Sequence, residues 1–393
     1  LDNPVPALLW TSMATGRSPV EHGVLDHWAL DPVSGELRPA GLVDAEVPSL
    51  WRLLSAAGMS CHVVNWFASH PAQPISGVSV SDRFGELSLA GSAADWPVPH
   101  GSVCPVELLA DLERLRCHPS LFSAADLAPY IRDLESINLD DDRRPIEIAS
   151  LLATTSSVNA AARYLLANEP WHFLAVRFHG IAAVCHRLLR AHVSDEGDHH
   201  HYSGLLSSIL RVHDRMLAGL IELAGPDTTV LLVSEQGVVT PSKPWRRQSG
   251  LLAMAGPTIR ADQLIHGAHL LDVVPTLMRL FGIAAPAAMT GSVLHQVFVD
   301  SRPIGSLMPA PSLEMANSTD PLEDQEAVAQ VLALGFPLFS SHELRLQEAH
   351  RHRRDVNRVL VQIEAGDWAA AAPLLRQLAA ESDALPGFCL LYT

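Results

Sequence analysis

The chain has little cysteine, a deficit of positive charge and no long apolar run, and each shortage excludes something. Its five cysteines (Cys61, Cys104, Cys117, Cys185 and Cys389) are odd in number and scattered, with no C-x-x-C pair. That spacing argues against a disulfide framework and against a structural zinc knuckle. Lys and Arg total 27 against 43 Asp and Glu, a formal charge of −16. A nucleic-acid binder needs a basic face to displace phosphate counterions, and docking on anionic lipid needs the same sign, so neither partner is expected. The acidic surface needs no partner beyond solvent. No apolar stretch approaches the roughly 20 residues that span a bilayer. The opening Leu1-Asp2-Asn3-Pro4 has neither a basic n-region nor an apolar h-region, so no secretory signal is expected and the default compartment is the cytoplasm. A start at Leu rather than Met points to a leading segment processed away or not included.

What is present reads as a folded α/β protein. Hydrophobic residues make up 48% and charged residues 18%, which excludes disorder for most of the chain. At roughly 100–200 residues per domain, the length allows two or three domains. Short apolar runs at 61–66, 173–178, 228–234 and 250–255 read as central strands covered on both faces. Helical patterns lie at about 47–58, 104–116, 145–167, 202–224 and 269–281. Alternating strands and helices predict a mostly parallel sheet flanked by helices, with chemistry at the carboxyl ends of its strands. Pro303, Pro309, Pro311 and Pro321 mark 301–322 as a linker between a domain over 1–300 and a helical region over 323–393. Within the latter, Asn357 to Pro373 resembles half of a tetratricopeptide unit, with Gly366 in the turn. A helical hairpin packed on the main domain is an equal reading, since arrays need about three repeats.

One run is distinctive: Leu8-Leu9-Trp10-Thr11-Ser12-Met13-Ala14-Thr15-Gly16-Arg17-Ser18-Pro19-Val20-Glu21-His22-Gly23-Val24. It resembles the nucleophile segment of the type I phosphodiesterase/nucleotide pyrophosphatase branch of the alkaline phosphatase superfamily. Four further segments follow in the family's order: 66–80, 173–186, 232–237 and 250–280. The resemblance covers about residues 4–300 and implies an alkaline-phosphatase-like fold. It also implies hydrolysis of phosphate esters by two cations, usually zinc, roughly 3.5–4 Å apart, which activate a hydroxyl nucleophile.

Carried over residue by residue, that resemblance implies a depleted centre. The nucleophile position, four residues before Trp10, is Pro6, which has no nucleophilic atom. The family's first metal carboxylate lies on an opening strand that this sequence does not contain. The second belongs in a G-I-D-x-x-x-H motif, which reads here Gly180-Ile181-Ala182-Ala183-Val184-Cys185-His186, with Ala182 replacing the aspartate and His186 kept. The Ser-Asp-His-Gly motif reads Ser234-Glu235-Gln236-Gly237. Glu235 remains a carboxylate on a longer arm, whereas Gln236 is a far poorer zinc ligand than imidazole. The last histidine position is Arg246, whose guanidinium stays charged.

The expectation is therefore a metal-free, non-hydrolytic relative with no catalytic residue, no cofactor and a protein partner or second copy bound through its C-terminal helices. A small anion held by Arg246 and Arg247, with Glu235, Gln236, His179 and Thr15 around it, would be the ligand site. Thr15-Gly16 and His22-Gly23 are expected to be architectural, and Asp272 to be structural at a helix end. The tract His199-His200-His201 reads as a solvated loop beside a helix start rather than a metal site. Two alternatives stay open. One is an active zinc phosphodiesterase drawing on His179, His186, Glu235 and the histidine tract. The other is a repurposed metal-free enzyme using Cys185, His186, His179 and Glu235 as acid and base.

Overall fold

The computed structural model describes residues 6–30, 37–85, 96–185, 199–235, 237, 249–300 and 343–381. Its helices and strands run in chain order as follows: α1 (Pro6–Thr15), α2 (Pro19–His22), β1 (Trp28–Leu30), β2 (Leu37–Pro39), α3 (Leu50–Ala56), β3 (Cys61–Trp66), β4 (Gly77–Ser81), β5 (Val103–Cys104), α4 (Leu109–Glu113), α5 (Ala124–Leu127), α6 (Arg144–Asn168), β6 (Phe173–Val176), α7 (Gly180–Ala183), α8 (His199–Tyr202), α9 (Leu205–Ala224), β7 (Val230–Ser234), β8 (Leu251–Ala255), α10 (Val273–Leu280), α11 (Glu343–Glu364) and α12 (Trp368–Glu381). The chain divides into two compact units: residues 1–50, 269–293 and 306–393 form one, and residues 51–268 and 294–305 the other.

The second unit carries the α/β layer. Its four-stranded sheet has the order β5-β4-β3-β6, with β3 parallel to both β4 and β6 and only β5 antiparallel. The mostly parallel sheet flanked by helices that the alternating pattern predicts is therefore present. Strand β3 (CHVVNW) is buried at all six positions, the signature of a central strand covered on both faces. Gly77 begins β4 at φ +128°, and a Cβ there would lie 2.1 Å from the Cys61 carbonyl oxygen, so the close parallel pairing needs glycine. The 25-residue helix α6 serves two cores. Val158, Ala161, Ala162 and Leu165 on its second half meet Val64, Val78, Val80 and Phe84. Ile148, Leu151 and Leu152 on its first half meet Ile131, Val184, Leu205 and Ile209.

Two expectations in this unit are corrected. The runs at 228–234 and 250–255 are strands, but β7 and β8 pair antiparallel as a separate two-stranded ribbon. They are not covered on both faces: Leu232 and Leu251 are 41% and 53% exposed. A short apolar run fits a central strand or a ribbon equally, because periodicity does not report what covers it. The histidine tract is not a loop but the helical turn α8. His200 Nε2 lies 3.1 Å from the exposed Asp133 carboxylate, and His201 Nδ1–H donates to the Arg132 carbonyl at 2.8 Å.

The first unit is mostly helical, with β1 and β2 pairing antiparallel as a two-stranded ribbon. Helix α1 is buried almost all round, at Ala7, Leu8 and Trp10 through Thr15. Two glycines end its neighbourhood in left-handed conformations: Gly16 at φ +66°, where a Cβ would meet Val274 and Met289 at 2.9 Å, and Gly23 at φ +81°, closing α2. Asp272 is structural at the start of α10, as expected: its carboxylate accepts from the His269 and Ser292 N–H groups at 2.9 and 2.7 Å. Helices α11 and α12 form a hairpin around Val359, Ala371 and Leu378, turned by Gly366 at φ +75°. Its first helix is tied to the segment after α2, where Asn357 Nδ2 donates to the Leu25 carbonyl at 2.7 Å. There the buried Asp26 carboxylate faces His350 Nδ1 at 3.3 Å and Arg353 Nε at 3.1 Å. The expected linker lies outside the described residues.

Candidate functional site

Because β3, β4 and β6 run parallel, their carboxyl ends lie along one edge of the sheet, the edge where α/β folds place ligands. The backbone is strained there. Asn65 and Ala68 both adopt φ +58°, which asparagine tolerates but which costs Ala68 on the order of 1 kcal/mol. The strain is organised around Asp82, just past β4. Its carboxylate accepts from the Ala68 N–H at 2.7 Å and the His70 N–H at 3.1 Å, while its own N–H donates to Ser69 Oγ at 3.1 Å. Desolvation pushes the Asp82 carboxyl above its ordinary value, against the opposing pull of the Ala68 N–H, Arg177 and Arg83.

Arg177 follows β6 and reaches the same edge. Its N–H donates to the Val64 carbonyl at 3.1 Å and its carbonyl accepts from Asn65 Nδ2 at 2.8 Å. Its guanidinium sits 4.9 Å from the centroid of the Phe67 ring. Burial draws the guanidinium below its ordinary value, and the Asp82 and Glu235 carboxylates oppose that draw. His70 lies beside them, its Nδ1 3.0 Å from Ser81 Oγ, and burial holds it neutral, with a value near 3.

The sequence-derived site residues are distributed unevenly. Glu235 stands half-buried just after β7, and His179 occupies the position before α7 without a side-chain capping bond. Ala182 is exposed on α7. Thr15 belongs to the other unit, where its hydroxyl donates to the Thr11 carbonyl at 2.8 Å and accepts from the Arg17 N–H at 3.3 Å, so both roles are used inside its own helix end. Pro6 opens α1. His186, Gln236, Arg246 and Arg247 lie outside the described residues. Sequence reasoning missed Arg177 and Asp82. The signal available for them was position, since both directly follow strand ends.

A buried pair in the first unit invites a nucleophile reading: Ser12 Oγ lies 2.9 Å from His22 Nε2. The proton inventory goes the other way. The Val24 N–H donates to His22 Nδ1 at 3.2 Å, so Nδ1 is the acceptor and Nε2 carries the ring proton. His22 therefore donates to Ser12 and does not accept its proton. Burial keeps the ring neutral, with a value of about 4. The pair fastens α2 to α1, which is the architectural role expected for His22.

The described cysteines are poor reactive groups. Burial raises Cys185 above its ordinary value and Cys61 to about 11, disfavouring the thiolate. As for metal, among the described residues no three His, Cys, Asp or Glu side chains converge to hold an ion. Asp82 spends its oxygens on backbone N–H groups and Ala182 offers no donor. These described donors do not by themselves fit a divalent pair. Nor is any described helix long and apolar enough to cross a membrane.

Residues 4–278 match the family described as type I phosphodiesterase / nucleotide pyrophosphatase. No curated protein and no solved structure matches the chain.

Proposed function

The chain belongs to the type I phosphodiesterase / nucleotide pyrophosphatase family, and from that premise we propose that it is a metal-free, non-hydrolytic member acting as a binding or assembly subunit. The observation that carries the reading is Ala182, an exposed methyl on α7 where the family resemblance calls for a carboxylate. Pro6 at the nucleophile position, with Gln236 and Arg246 at two histidine positions, supports it from the sequence. Without paired cations, the charge that develops on phosphoryl oxygens lacks its main stabilisation. Any retained ligand is a small anion near Arg246 and Arg247. Association runs through the C-terminal helix pair, where Trp368 is 63% exposed.

The test is hydrolysis of a chromogenic bis-aryl phosphate by the full chain with zinc added. The expected result is no turnover above buffer, with A182D/Q236H/R246H gaining zinc affinity over the parent. Zinc-dependent turnover by the unaltered chain contradicts the proposal and establishes the active-phosphodiesterase reading instead. For association, Trp368→Glu is expected to shift sedimentation toward the monomer; identical sedimentation removes the helix pair as the contact surface.

A further inference from the structure

We propose that α11 carries an arginine stripe that docks a short acidic segment of a partner protein, one whose carboxylates repeat at helical-turn spacing. This deepens the reading of the C-terminal helix pair as an association surface and rests on it. Residues 350–358 read HRHRRDVNR, four arginines against the single acid Asp355, in a chain whose formal charge is −16. The helix sorts those arginines onto different faces. Arg353 lies with His350 and Asn357 on the face toward the segment after α2, where its Nε meets the Asp26 carboxylate at 3.1 Å. Val356, Val359 and Ile363 pack toward α12. Arg351, Arg354 and Arg358 stand at i, i+3 and i+7, which aligns them on a third stripe. At 1.5 Å per residue that stripe is about 10 Å long.

Among the described residues, no side-chain hydrogen bond or ion pair answers the stripe. Arg351 is exposed, Arg354 and Arg358 are half-buried, and Arg358 Nε is buried with no partner. Asp355 pairs with none of them. Like charges three and four residues apart repel along a helix, so the bare stripe costs the free chain stability that an acidic partner restores. The neighbouring face shows what these arginines take when it is offered, since Arg353 holds a carboxylate. A guanidinium fork matches a carboxylate in plane and in spacing. Net charge decides among the anions. A nucleic-acid duplex carries a charge about every 1.7 Å and would bring that density against the whole acidic chain. Anionic lipid would do the same, and a second copy would bring another −16. Acids confined to about two helical turns meet the stripe and little else.

The test uses the full chain and a labelled alanine-based helical peptide with glutamates at i, i+3 and i+7, read by fluorescence anisotropy beside its glutamine counterpart. The glutamate peptide is expected to bind and to weaken as salt rises, with the glutamine peptide on the order of tenfold weaker, as three exposed ion pairs would supply. Arg351→Gln/Arg354→Gln/Arg358→Gln is expected to remove that preference. Equal affinity for the two peptides, or a variant that binds the glutamate peptide as the parent does, overturns the inference. A DNA duplex or phosphatidylserine vesicles that bind the parent more tightly than the peptide, and lose it in the variant, overturn it in favour of that occupant. Sedimentation of the variant alone that shifts toward the monomer overturns it in favour of a second copy. If the triple variant does not fold, Arg351→Gln decides: about a twofold loss of affinity is expected for one exposed pair, and no loss overturns the inference. Sedimentation of Trp368→Glu tests the wider association reading separately, so an absent peptide preference beside an intact Trp368→Glu effect is the failure of this inference alone.

Discussion

Asp26 in one compact unit and Asp82 in the other are answered differently. Asp26, 4% exposed in the first unit, is met by His350 and Arg353 from a helix more than three hundred residues away in sequence. Asp82 in the second unit is met by two backbone N–H groups from its own neighbourhood and by Arg177. The first arrangement closes the chain on itself and carries no strain among its described backbone partners. The second includes the left-handed Ala68, whose N–H it binds, at the edge where α/β folds bind ligands. The left-handed backbone at Ala68 marks the difference between the two arrangements.

The contrast can be broken most forcefully at Asp26. Asp26→Ala leaves His350 and Arg353 facing an apolar gap and is expected to cost about 3–5 kcal/mol, read by urea unfolding. A loss below 1 kcal/mol would reduce the cluster to a surface-like contact. Because α11 supplies the partners, the same variant is expected to speed proteolysis within residues 343–381.

Acidification comes next. Burial lowers His22 and His27 from an ordinary 6.5 to about 4 in the first unit. A histidine with a depressed folded value takes its proton more readily when unfolded. Its contribution is therefore whole above pH 6.5 and is lost as pH falls toward 4. At ~1.4 kcal/mol per unit, each histidine removes on the order of 3 kcal/mol across that window. Asp82 acts with the opposite sign. Its raised folded value favours the protonated, folded form, so it offsets a little of the loss once pH reaches the carboxylate range. His27→Asn is expected to flatten the acid limb of a stability-against-pH curve; an unchanged limb would place the acid sensitivity elsewhere.

The smallest effect is expected at the histidine tract. His200 and Asp133 are 63% and 68% exposed, so His200→Ala is expected to change stability by less than about 0.5 kcal/mol. A larger loss would mean that α8 anchors more than its own turn.

How far the sequence could be read follows from the same contrast. The α/β class was legible because β3 is a mostly apolar run and α6 is long, and α6 lies within a residue of its expected bounds. Strand β4 was not marked: GVSVS alternates polar and apolar residues, and its seat depends on Gly77 fitting against Cys61. The ribbon β7–β8 was legible as strand but not as ribbon, since cover is a tertiary property. The family resemblance pointed to Glu235 and Ala182 through motif spacing. It could not point to Arg177 or Asp82, which gain meaning only when separate strand ends come together. The Asp26 cluster was illegible for the same reason, its members being joined by folding and by no local pattern.

The central claim is that a hydrolase scaffold persists here without its paired cations. Its most direct test is the metal content of the full chain after equilibration with zinc and removal of the unbound ion. The account predicts well under one zinc per chain, unchanged by Glu235→Gln. Two zinc ions per chain, falling when Glu235 is replaced, would contradict it.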